Sequence, residues 1–122
     1  MASKKTRSLY FIDRAAAIIK PKQPYVDWAN QLPDATFETS QEKLREDCHV
    51  VLIDEYDSHE QALKIIEDIW EDIFDHCLGA WCTKSAWWPK KRTFKMFKEW
   101  FDLEFHETII DPYDDEIEKE LF

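Results

Sequence analysis

A single glycine, Gly79, stands in a chain of 122 residues. Loops that cradle phosphate, and the fingerprints that bind dinucleotides, need several glycines within a short stretch. Both are excluded. The one glycine follows the strongest periodic pattern in the sequence. Ala62, Ile66, Ile69, Ile73 and Cys77 form one apolar row, and Leu63, Trp70, Phe74 and Leu78 form the next. Glu60, Lys64, Glu67, Asp68, Glu71, Asp72 and Asp75 take the opposite side. This spacing predicts an amphipathic helix of about twenty residues. Ser58-His-Glu-Gln61 supplies a capping box at its start. Gly79 sits where a left-handed C-terminal cap is expected.

Eighteen aromatic residues, six of them Trp, exclude a disordered chain. The length is that of one domain. The net charge of −10 is unevenly spread. Residues 1–22 carry a net +5, and residues 34–75 a net −11. Residues 84–98 hold six bases and no acid, and residues 99–122 a net −9. Two basic patches therefore sit within an acidic chain, and field arguments are local.

Arg14-Ala-Ala-Ala-Ile-Ile-Lys20 closes on Pro21, which pushes Lys20 toward extended geometry and predicts a strand over 14–20. The three alanines leave a helix open there. Pro24 can occupy the first turn of a helix whose face carries Tyr25, Trp28 and Leu32. Thr39-Ser-Gln-Glu42 predicts a cap and a helix over 40–46. The apolar run at 49–54 reads as a strand buried on both faces. Residues 80–92 read as irregular. Thr93 caps a helix carrying Phe94, Phe97, Trp100 and Phe101, and residues 103–110 form a strand with one wetter face. The expected fold is a small single α/β (or α+β) domain over 9–112. Its order is strand, helix, helix, strand, long helix, helix, strand. A flexible arm (1–8) precedes it and an acidic tail (113–122) follows. The long crossovers leave parallel pairing open.

No apolar run reaches the ~20 residues of a membrane helix. Leu9–Ile12 is also shorter than the ~7-residue apolar core of a secretory signal. Three cysteines, an odd number, fit reduced thiols. The expectation is a cytoplasmic protein without a membrane partner.

His76, Cys77 and Cys82 cluster in sequence, with Cys48 and His49 apart from them. Cys77 and Cys82 are more widely spaced than an ordinary zinc pair, and no second pair exists, so no metal and no cofactor is expected. Cys82, near the basic segment, is the better of the weak nucleophile candidates. The acids of 60–75 read as a solvated helix face.

Two segments stand out as candidate sites. In Lys84–Lys98, the residues Trp87, Trp88, Lys90, Lys91, Arg92, Lys95 and Lys98 interleave bases with aromatics. That pattern suits a protein interface or single-stranded nucleic acid, and equally a core whose aromatics are covered by lysine stems. In Lys20–Trp28, two prolines stiffen a loop carrying Lys20, Lys22, Gln23 and Trp28 beyond the end of a strand, a place where sites gather in α/β sheets.

The runs Lys20-Pro-Lys-Gln-Pro-Tyr-Val-Asp-Trp28, Arg45-Glu-Asp-Cys48 and Trp88-Pro-Lys-Lys-Arg-Thr-Phe94 resemble a family of small, acidic bacterial proteins, over residues 14–111. The resemblance implies a bacterial cytosolic origin and carries no activity with it. The functional expectation is a binding protein that uses the aromatic-basic surface on a protein partner or on a second copy, as a homodimer. Nucleic acid or another polyanion is an alternative partner. The alternative of a small enzyme needs acid–base groups that converge in a cleft near Lys20–Trp28.

Overall fold

The computed structural model describes residues 8–121. Apart from Ser8, the expected N-terminal arm lies outside the described residues. The elements are β1 (Tyr10–Phe11), β2 (Ala15–Pro21), α1 (Gln23–Asn30), α2 (Gln41–Leu44), β3 (His49–Ile53), α3 (His59–Trp81), a 3-10 turn (Ser85–Trp87), α4 (Phe94–Trp100), β4 (Phe101–His106) and β5 (Ile110–Asp111). The mixed α/β class and the predicted element order hold.

β2 is the central strand of a three-stranded sheet ordered β3-β2-β4. Both pairs are antiparallel. β3 and β4 therefore run in the same direction, on opposite sides of β2, and the connection through α3 and α4 carries the chain across the sheet from one edge to the other. The predicted strand 103–110 divides. β4 starts two residues earlier and stops at His106, opposite Ala16, one residue from where β2 begins. Ile110–Asp111 pairs instead with Tyr10–Phe11 in a separate two-stranded ribbon.

Among the described residues, helices cover one face of the sheet only. Ala15, Ala17 and Ile19 of β2, with Ile53 and Phe101, point into a core shared with Ile66, Ile73, Phe74, Cys77, Leu78 and Phe97. Two alanines on the central strand leave room for the large residues of α3. Phe74, Phe97 and Phe101 pack ring to ring, with centroids 5.1–5.6 Å apart. The expectation that β3 is buried on both faces is corrected. Val50 is 59% exposed and Leu52 48% exposed. An antiparallel sheet can leave one face to water, and these two residues lie on that face.

The helix termini follow the sequence with two shifts. Ser58 caps α3 and Thr93 caps α4, each accepting a backbone N–H three residues on. At α2 the cap is Ser40, not Thr39, and it accepts from the Lys43 N–H. Gly79 is not a cap. α3 runs on to Trp81 with Cys82 beyond it, and Gly79 does not adopt positive φ. Trp88 lies over the glycine instead; a Cβ there would stand 3.5 Å from its ring. The tail over 112–121 forms no helix or strand.

Candidate functional site

The fold joins parts of the two sequence-predicted segments. Lys22 precedes α1; its N–H donates to the Trp100 carbonyl at 2.8 Å and its Nζ to the Lys98 carbonyl at 3.0 Å. Trp28, one helical turn beyond Pro24, donates its indole N–H to the Trp87 carbonyl at 3.0 Å. α1, the 84–92 segment and α4 thus form one continuous region. Gln23 stays at its margin, donating to Asp27 of the same helix at 2.8 Å. Lys20 is not part of it. Its side chain leaves the outer face of β2 and pairs with Glu104 at 3.2 Å.

Within this region the aromatics are packed into the fold on one side. Trp87 and Trp88 are half-buried. Trp88 packs on Gly79 and donates to the Cys82 carbonyl at 2.8 Å. Arg92 fastens the segment to α3: its guanidinium pairs with Asp75, donates to the Pro89 carbonyl at 3.1 Å, and lies over the Phe74 and Trp88 rings. Its Nε is buried with no hydrogen-bond partner. Lys84 sits 4.3 Å above the Trp87 ring, Lys98 4.7 Å above Phe94, and Lys90 donates to the Ala86 carbonyl. Lys91 and Lys95 are exposed, and among the described residues they are in no ion pair. Lys84, Lys90 and Lys98 are exposed too and in no ion pair among the described residues, so the positive charge is spread over five lysines above a half-buried aromatic base.

Acid–base groups do gather near Lys20, on the outer face of the sheet. Asp102 pairs with Arg45 at 2.6 Å and Lys22 at 3.4 Å. Glu104 meets Lys20 and, at 2.6 Å, His106. Desolvation acts on Asp102 to raise its pKa, but the hydrogen bond from Arg45 and the charge of Lys22 outweigh it and hold the carboxyl below its ordinary range. Glu104 is lowered by its hydrogen bonds to His106 and then Lys20. These pairs sit on an open face, where water screens them, so they order the β2–β4 edge rather than form a closed reaction site.

The fold also unites residues far apart in sequence. Tyr25, Leu44, Cys48, His49, Cys77 and Trp81 line a pocket of about 180 Å³. The His49 ring stands edge-on to His76, 4.8 Å away. Burial, and secondarily the nearby His76, lower the His49 pKa against an opposing pull from Asp47. Burial pushes the Cys77 thiol up to about 12, which keeps it protonated and unreactive. Burial also raises the Tyr25 pKa, and its hydroxyl donates to the Cys77 carbonyl at 2.6 Å. Cys82 is buried, with its thiol directed to the Lys84 carbonyl. Among the described residues no three His, Cys, Asp or Glu side chains are arranged to hold a metal ion. The pocket is smaller than the ~300 Å³ at which ordinary ligand sites begin. No sequence signal joins Cys48-His49 to His76-Cys77; only the docking of α3 across β3 does.

No helix of the described residues is long and apolar enough to cross a membrane. Comparison with known protein families, with curated proteins and with solved structures found no match.

Proposed function

We propose that the chain is a binding module that recognises an acidic protein surface through the face formed by α1, residues 84–92 and α4. One observation carries this reading. Lys91 and Lys95 are exposed and without an ion-pair partner among the described residues, while their neighbours Trp87, Trp88 and Arg92 are tied into the fold. A pre-ordered base lowers the entropy lost on binding, and the two lysines supply part of the charge. The exposed acids of α3 are a candidate target on a second copy, which makes a homodimer one form of the same interaction. Three unpaired cysteines support a reducing, cytosolic setting.

The experiment is a titration of the full chain with poly-glutamate and with single-stranded RNA, at low and high salt, alongside light scattering. Lys91→Glu with Lys95→Glu is expected to weaken poly-glutamate binding about tenfold while leaving the fold intact. Tighter binding to RNA than to poly-glutamate would shift the reading to a polyanion binder. Binding unchanged in the double variant would refute the lysine face.

A further inference from the structure

The outer side of β3 differs from every other edge of the sheet. Among the described residues β3 pairs with β2 alone, so its free side presents backbone N–H and C=O groups that no described strand takes up. Protein edges are ordinarily guarded by charge, proline or a bulge. β4, the opposite edge, carries Asp102, Glu104 and His106 on its outer face. His49–Ile53 has no Lys, Asp, Glu or Pro, and its register with β2 is unbroken from Ile19↔His49 to Ala15↔Ile53. Val50 and Leu52 stand exposed on it.

Acids collect at both ends of this apolar strand. Glu46 and Asp47 precede it, Asp54, Glu55 and Asp57 follow it, and all five are exposed. Of these, among the described residues, only Glu46 is in an ion pair, with Lys43. Leu52 also lines an open depression with Asp115 and Glu116, where Arg14 and Lys119 offset part of the negative charge.

We propose that β3 accepts an extended segment of another protein as a fourth strand, and that this segment carries alternating β-branched residues with Lys or Arg at its ends. Main-chain hydrogen bonds would supply affinity, and the acidic ends would select the partner. A second copy is the poorer occupant. Antiparallel pairing centred on Val51 sets Asp47 against Glu55 of the second copy, and like charges oppose that pairing. The proposal shares no residue with the Lys91–Lys95 face and stands independently of it.

The test uses the full chain and two synthetic peptides. One is Lys-Arg-Val-Thr-Val-Thr-Val-Arg-Lys; the other has Glu at its four basic positions. Binding is read by fluorescence anisotropy, and its location by amide hydrogen exchange. The basic-ended peptide should bind about tenfold more tightly and slow exchange within His49–Ile53. Asp54→Lys with Glu55→Lys should reduce the preference severalfold, while Lys91→Glu with Lys95→Glu should leave it unchanged. Should the lysine pair fail to fold, Asp54→Asn with Glu55→Gln should reduce the preference by a smaller factor instead. Equal binding of both peptides, binding of neither, protection at another element, or a peptide-free dimer lost in Val50→Lys would each overturn the proposal.

Discussion

The two faces of the three-stranded sheet are built from the same strands, yet they differ in nearly every physical respect. The helix side is alanine and isoleucine under a layer of phenylalanines, closed to water. The outer side has no helix over it and is divided along its width. Its β4 half is a ladder of charges from Arg45 through Asp102, Lys20 and Glu104 to His106. Its β3 half is apolar and exposed. The covered face accounts for stability. The open face accounts for little of it, which leaves its residues available for recognition.

The largest effect should come from the covered face. Phe74→Ala removes a fully buried ring that touches Phe97, Trp100 and Phe101. Unfolding in urea should show a loss of about 3–5 kcal/mol. A loss below about 1 kcal/mol would mean that the two faces do not differ as described.

Next in size is the clamp that joins the aromatic-basic segment to α3. Arg92→Ala breaks the pair with Asp75 and uncovers Trp88. The pair is partly open to water, so the cost should be about 1–2 kcal/mol, with increased mobility of residues 82–92 seen by hydrogen exchange.

Gly79→Ala should stabilise. The glycine lies inside α3, and an added methyl would meet Trp88 at ordinary contact distance. The gain should be about 0.5–1 kcal/mol, read as a higher melting temperature. A loss would show that Trp88 needs closer access to α3 than its present contact.

The smallest effect is a pH dependence. The His49 pKa is lowered in the fold, so the unfolded chain takes up a proton first as the solution is acidified. This contribution is fully present above the ordinary histidine pKa and is lost as pH falls below it. Asp102 and Glu104 are lowered too, and their contribution is lost only further down, below the ordinary carboxylate range. The melting temperature should therefore fall in two stages on acidification. His49→Gln should flatten the first stage alone.

What was legible in the sequence follows the same division. The α3 rows, the Ser58 and Thr93 caps and the strand before Pro21 are local signals, set by spacing within one element, and they were read correctly. β3 was misjudged because an apolar run is the same string of residues whether a second layer covers it or not. Layer count is a tertiary property. Gly79 was misread for a related reason: its role is set by Trp88, which reaches it from outside the helix. Of the candidate sites, Trp28 joins Trp87 and Lys22 joins Lys98, whereas Lys20 goes to Glu104, beside the Asp102 that Lys22 also meets. These partners come from the 3-10 turn, α4 and β4, far away in the chain, so no local spacing announces them. The pocket that unites Cys48 and Cys77 had no local signal.

The most direct measurement compares two substitutions on a single strand. Val50→Thr with Leu52→Thr changes the open face of β3, and Ile53→Thr changes its covered face. Thr suits a strand, so backbone preference is held nearly constant. Urea unfolding should place the open-face double variant within about 0.5 kcal/mol of the parent chain, and Ile53→Thr at least about 2 kcal/mol below it. A comparable loss for the open-face pair would show that the outer side of β3 is core, and would contradict its assignment to a partner.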